Sequence, residues 1–97
     1  MRDIRLFDVA AREVMEARDW YEKESTGLGG RFIDELEHQL ERIMANPGQF
    51  PFILEDVRRA KLRIFPYGIF FRERGNLVFV IACFHASRDP LTWQRRL

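Results

Sequence analysis

The sequence holds only one cysteine, Cys83, and four prolines, and its apolar residues never run on for long. A lone thiol has no intrachain partner, which excludes a disulfide framework and a cysteine zinc site. Among apolar neighbours, Cys83 reads as packing. No stretch approaches the roughly 20 apolar residues of a membrane helix, so no membrane partner is expected. The opening residues, MRDIRLFDVAAREV, carry Asp3, Asp8 and Glu13 and lack a continuous apolar segment, so no secretory signal is expected and the expected location is cytoplasmic. Internal repeats, linkers and low-complexity segments are missing as well.

What remains is a 97-residue chain, 46% hydrophobic and 32% charged, with nine phenylalanines. That is one domain, residues 1–97, with a thin core, since a chain this short buries only about 60–65% of its unfolded surface. The net charge of +1 hides a division. Residues 1–56 carry seven Lys/Arg against thirteen Asp/Glu, a net of −6; residues 57–97 carry nine against two, a net of +7. The second half therefore attracts an acidic peptide or a phosphate backbone.

Residues 2–7 alternate around Ile4 and Leu6 and predict a short strand, with Asp8 placed to accept from the free N–H groups of the following helix. That helix is expected over residues 9–24, with Ala10, Val14, Ala17 and Tyr21 as its buried stripe. The carboxylates of this helix and the next are expected on solvent faces, and His38 at the surface. Ser25-Thr26-Gly27 interrupts the pattern, and Gly27-Leu28-Gly29-Gly30 reads as a turn between helices. A second stripe, Phe32, Leu36, Leu40 and Ile43, ends at Asn46-Pro47-Gly48. Two helices so closely joined form an antiparallel hairpin that needs a third element to cover its apolar stripes.

The rest of the chain supplies a sheet. Residues 57–65 alternate, with Ala60, Leu62 and Ile64 pointing one way and Arg59, Lys61 and Arg63 the other. Phe65-Pro66-Tyr67-Gly68 leads into a strand over 69–74, and Gly75-Asn76 turns the chain into a strand over 77–85. This last strand is apolar on both parities, Val78, Val80, Ala82 and Phe84 against Leu77, Phe79, Ile81 and Cys83, as a central strand covered on both faces would be. The tail, residues 87–97 with Trp93, and a partner are the candidates to cover its second face. The fold class expected is α+β, ordered β-α-α-β-β-β, an antiparallel twisted sheet with the helical hairpin packed on one face.

Arg59, Lys61 and Arg63 carry the strongest functional signal. Like charges on alternate strand residues lie about 6.5–7 Å apart and repel, so the row is expected to face anions. Arg58, Arg72, Arg74 and Arg88 are candidates to extend it. His85, Arg88 and Trp93 lie where a site beside that row is expected, since a histidine moves protons near neutrality and an arginine holds a phosphate with two bonds. The candidate catalytic residues are thus Arg59, Lys61, Arg63, His85 and Arg88. The candidate partner-binding residues are Arg59, Lys61, Arg63, Arg72, Arg88 and Trp93. Trp20-Tyr21 reads as hairpin packing rather than as a base-stacking pair. No metal-ligand spacing, phosphate-binding loop or Ser-His-Asp order is present, so no metal and no cofactor are expected.

The series Ala17-x-x-Trp20-Tyr21, Gly27-Leu28-Gly29-x-x-Phe32, Asn46-Pro47, Phe65-Pro66-Tyr67 and His85-x-x-Arg88-Asp89-Pro90-x-x-Trp93 closely resembles the RelE/ParE superfamily of toxins. It spans nearly the whole chain in the right order. The resemblance implies a type II toxin–antitoxin module, growth inhibition, a role in plasmid stabilisation, and a cognate antitoxin whose C-terminal segment wraps the toxin. Two modes of action are implied. RelE-like members cleave mRNA in the ribosomal A site; ParE-like members bind and poison DNA gyrase. Arg59, Lys61 and Arg63 fall where RelE-like enzymes place a basic strand row, and Arg88 lies near a C-terminal arginine of that group. Two positions depart: Gly68 follows Tyr67 where many cleaving members have arginine, and Trp93 stands where a tyrosine hydroxyl would act. A net charge of +1 is also low for settling on ribosomal RNA. A ParE-like binding toxin is therefore the favoured expectation, with the mRNA endonuclease and a non-toxic binding remnant as alternatives.

Overall fold

Two apolar stripes at helical spacing, followed by alternating segments rich in Val, Ile and Phe, fold as a hairpin laid on a sheet. A computed structural model describes residues 2–97. It orders them as β1 (Asp3–Leu6), α1 (Asp8–Glu24), α2 (Leu28–Ala45), β2 (Phe52–Leu54), β3 (Val57–Lys61), β4 (Tyr67–Arg74), β5 (Leu77–His85) and α3 (Leu91–Gln94), with one 3-10 turn at Pro47–Gln49. The strands form one sheet in the order β1-β5-β4-β3-β2. The β3, β4 and β5 meander is antiparallel, whereas β1 joins β5 in parallel. The sheet is therefore mixed, and it has one strand more than the alternation predicts.

The hairpin buries Ala10, Val14 and Ala17 of α1 and Phe32, Leu36 and Ile43 of α2 against Ala60, Ile69, Phe71, Val78, Val80 and Cys83. A second, smaller core on the opposite face gathers Val57, Phe70, Ile81, Ala82, Phe84 and Trp93. At roughly 25 cal/mol per Å² of apolar surface removed from water, these two cores supply most of the stabilisation. Trp93 of α3 is 1% exposed and stacks on Phe70 with ring centroids 4.6 Å apart, so the tail does cover part of the second face.

Four local expectations are corrected. Asp8 is the first helical residue rather than the cap; Phe7 holds the cap position, with no side-chain bond to the helix. Leu28, Gly29 and Gly30 belong to the first turn of α2, so the turn is confined to residues 25–27. The β5 faces also differ. Phe70 pairs with Ala82 and Phe71 with Val80, which leaves Ile81 as the extra residue of a bulge. The bulge switches parity, so Val78, Val80 and Cys83 face the hairpin while Ile81, Ala82 and Phe84 face away. Finally, β3 stops at Lys61. Gln39 Nε2 donates to the Lys61 carbonyl at 2.6 Å, Leu62 N–H to the Tyr67 carbonyl at 2.9 Å, and Ile64 N–H to Glu35 Oε1 at 3.0 Å. With those bonds the chain leaves the sheet, Phe65 turns into the core, and Ile64 lies 68% exposed instead of buried.

The α1/α2 junction depends on the absence of a side chain at residue 29. A Cβ there would lie 2.7 Å from the Arg18 carbonyl oxygen, and the Gly29 N–H donates to Glu22 Oε1 at 3.0 Å. Gly29→Ala is expected to destabilise the protein by about 1–3 kcal/mol, because the helices must separate to admit the methyl group. A thermal melt followed by circular dichroism checks this; an unchanged midpoint would show that the junction yields without cost.

Candidate functional site

The face of the sheet turned away from the hairpin carries a groove of about 480 Å³. Its construction begins with register. Arg59 pairs with Phe70 and Lys61 with Gly68, while Gly68 and Phe70 pair with Phe84 and Ala82, so all six residues share one face. Phe70, Phe84 and Trp93 make the apolar floor, and Arg59, Lys61, Tyr67, His85 and Arg88 stand around it with Ile53 of β2. Gly68 leaves room for an arginine stem. A Cβ at residue 68 would lie 3.2 Å from both Cγ and Cδ of Arg59. The Arg59 Nε is buried there without a hydrogen-bond partner. A buried donor in that condition favours an incoming acceptor.

Five of the residues singled out from sequence, Arg59, Lys61, His85, Arg88 and Trp93, therefore line one groove. Four do not extend it as expected. Arg63 lies beyond the end of β3, exposed and outside the groove lining. Arg72 Nη2 is engaged by Asp56 Oδ1 at 2.9 Å, and Arg74 bonds the other oxygen of the same carboxylate. Arg58 pairs with Phe71 on the hairpin side, donates to the Phe50 carbonyl at 2.6 Å and stacks over the Phe52 ring. His38 is exposed. Trp20 is 57% exposed and meets Tyr21 edge to face, so only the tyrosine of that pair joins the packed interior.

Tyr67 ties the groove to the core. Its ring packs edge to face on Phe32 at 5.4 Å and on His85 at 5.2 Å, and Phe32 in turn meets Phe65 at 5.3 Å. Burial, aided by neighbouring Tyr21, raises the Tyr67 phenol above its ordinary value, so at neutral pH it offers a hydroxyl and not an anion. His85 Nδ1 accepts from the Ser87 N–H at 3.0 Å and lies 2.8 Å from Ser87 Oγ. A neutral His85 ring therefore carries its proton on Nε2. Trp93 has no hydroxyl and is stacked on Phe70, so the proton-carrying groups beside this histidine are the Ser87 hydroxyl and the Tyr67 phenol. Among the described residues no group of three or more His, Cys, Asp or Glu is arranged to hold a metal ion.

The expectation that the hairpin carboxylates are all solvated is overturned by two of them. Glu13 is 7% exposed, and Glu35 is half-buried and accepts from the Ile64 N–H, whereas Glu22 stays exposed while accepting from the Gly27 and Gly29 N–H groups. Glu13 meets Arg96 and the Cys83 N–H. The signal was available: Glu13 lies one turn from both Ala10 and Ala17, on the buried stripe itself. Beside it, burial and the Glu13 charge push the Cys83 thiol up to about 12, so it stays protonated and inert.

Asp56 gives a pH-dependent contribution. Hydrogen bonds from Arg74 and Arg72 hold its carboxyl below the usual value. A depressed folded-state value means stability present above the ordinary carboxylate range and lost as the pH falls through the folded value. The melting temperature should therefore exceed that of Asp56→Asn at pH 7 by a small margin, since the carboxylate is 40% exposed and its charge is screened by solvent. The margin should close on acidification. A margin that is constant with pH would show that the carboxylate charge contributes nothing.

The comparisons with known proteins agree with this architecture. The family model described as the ParE toxin of the type II toxin–antitoxin system, parDE, matches residues 4–90. A solved structure of the chromosomal ParDE TA system from P. aeruginosa superposes with a TM-score of 0.78 at 16% identity, covering 90% of this chain and 98% of that one. The isolated E. coli RelE toxin superposes with a TM-score of 0.68 at 18% identity, covering 98% and 95%. At these identities the two structures speak for the fold alone. Among curated proteins, no sequence match is found.

Proposed function

This chain belongs to the ParE toxin family of type II toxin–antitoxin systems, and on that premise we propose that it arrests growth in the cytoplasm by binding DNA gyrase through the groove on its sheet. One observation carries this reading. The groove joins an apolar floor to cations at Arg59, Lys61 and Arg88. Apolar anchors slow release and a charged rim speeds encounter, which is the chemistry of a protein-binding surface. The same chemistry suits a cognate antitoxin whose C-terminal segment combines apolar anchors with acidic residues. Antitoxin and target then compete for one groove, and neutralisation follows by occupancy.

The second reading, ribosome-dependent mRNA cleavage, draws support from His85 and the Arg59 stem over Gly68, which bring an imidazole and a guanidinium to one groove. The two readings part in a single experiment. The gene is induced alone, and DNA supercoiling and translation are followed in parallel. Gyrase binding predicts a loss of supercoiling before any fall in translation. Intact supercoiling with mRNA cut at ribosomal A sites would reverse the assignment, and unaffected growth would leave only a binding remnant.

A further inference from the structure

The β1 strand is too short to cover its neighbour. Its register on β5 ends at Leu6 with Val80, and the last bond between them runs from the Phe7 N–H to the Val80 carbonyl at 2.9 Å. Beyond Val80 the outer edge of β5 has no strand beside it. Two of its backbone groups are nonetheless satisfied. The Cys83 N–H donates to Glu13 Oε1 at 3.1 Å, and the Ile81 carbonyl accepts from Arg96 Nη1 at 3.0 Å. The two side chains are themselves joined: Arg96 Nη1 lies 3.0 Å from Glu13 Oε1, and Nη2 lies 2.9 Å from Oε2. One acceptor from α1 and one donor from the C-terminal tail thus stand in for the missing strand.

This clasp lies directly behind the groove. Arg88 Nη1 is 3.6 Å from Glu13 Oε2, and the Arg88 guanidinium lies over the Phe84 ring, 4.2 Å from its centroid, on the groove floor. Arg96 follows Trp93 by one helical turn, so fixing Arg96 also fixes the ring stacked on Phe70. Other ties of the tail to the body are few. Residues 89–92 are exposed, and α3 is only four residues long.

We propose that Glu13 and Arg96 are positioning residues of the groove: together they complete the open edge of β5 and thereby hold Arg88 and Trp93 where a partner meets them. The second part rests on the reading of the groove as the binding surface. The first part does not. Because Cys83 requires an acceptor and Ile81 a donor, the two roles are not interchangeable. Exchanging the residues, Glu13→Arg with Arg96→Glu, keeps opposite charges but presents a donor to a donor, so it does not restore the arrangement.

The test uses full-length protein in a Trp20→Phe background, which leaves Trp93 as the only indole. Glu13→Gln keeps an acceptor for Cys83 and so protects the fold, while Arg96→Gln and Arg96→Lys probe the other half. Emission and acrylamide quenching of Trp93 are read well below the melting temperature, and binding is read with a labelled synthetic peptide alternating leucine and glutamate. Both Gln variants are expected to shift Trp93 emission to the red, to raise its quenching severalfold, and to weaken peptide binding about tenfold. Arg96→Lys, which offers a point donor in place of the fork, falls between them and the parent. A Trp93 that stays blue and shielded in both Gln variants overturns the proposal, as does a released Trp93 with peptide affinity unchanged. If the parent protein itself fails to bind the peptide while Trp93 responds as expected, the reading of the groove falls and the edge-completing role of the pair stands.

Discussion

Replacing Arg59 and Lys61 together with alanine is expected to abolish growth inhibition while leaving the protein folded. Hydrogen bonds to charged groups contribute about 1.5–3 kcal/mol each. Losing two of them should weaken the hold on an acidic partner segment by a factor on the order of 10²–10⁴. Stability should change little, because Lys61 is exposed and the Arg59 Nε has no partner to lose. Relief of repulsion between the two cations acts in the opposite direction to any packing lost from the Arg59 stem. Arg63→Ala is the matched control, a cation removed from outside the groove, and it should leave binding and toxicity close to wild type. Equal losses from Arg63→Ala and from the double variant would mean that net charge, and not the groove, attracts the partner.

The second large effect is on the fold. Phe32 is fully buried and meets the rings of Tyr21, Phe65 and Tyr67. Phe32→Ala should cost about 3–5 kcal/mol, from lost transfer energy and the cavity left behind. Small domains have about 5–15 kcal/mol in total, so a large share of the stability is at stake. The melting temperature should fall by about 12–40 °C. The consequence reaches the groove, because Phe32 supports Tyr67 and Tyr67 supports His85. A midpoint within a few degrees of wild type would show that the surrounding rings collapse into the space and that the aromatic chain is less rigid than its geometry indicates.

Much of this was legible in the sequence because burial imposes periodicity. The stripes through Ala10, Val14 and Ala17 and through Phe32, Leu36 and Ile43 were readable, as were the meander after Gly75 and the gathering of Arg59 and Lys61 on one face. What escaped depends on contacts distant in sequence. The alternation through Arg63 and Ile64 continues past the point where the strand ends, because that end is set by Gln39 and Glu35 from another element. Parity in β5 is reversed by a bulge at Ile81 that leaves no mark in a run apolar on both faces. The parallel pairing of β1 was equally hidden, since a four-residue strand alternates the same way in either direction. Phe52–Leu54 lies at an edge with every residue exposed, so it offers no periodicity to read. Arg72 looked like part of the basic row until Asp56, brought near by the β2–β3 turn, engaged it.

We propose that this toxin meets its protein partners in the groove between β3, β4 and the C-terminal tail. Amide chemical shifts of the labelled toxin, recorded while the cognate antitoxin is added, test this most directly. The largest changes should fall at Arg59, Lys61, Gly68, Phe84, Arg88 and the Trp93 indole. Changes confined to the outer faces of α1 and α2, with those six positions unmoved, would contradict it.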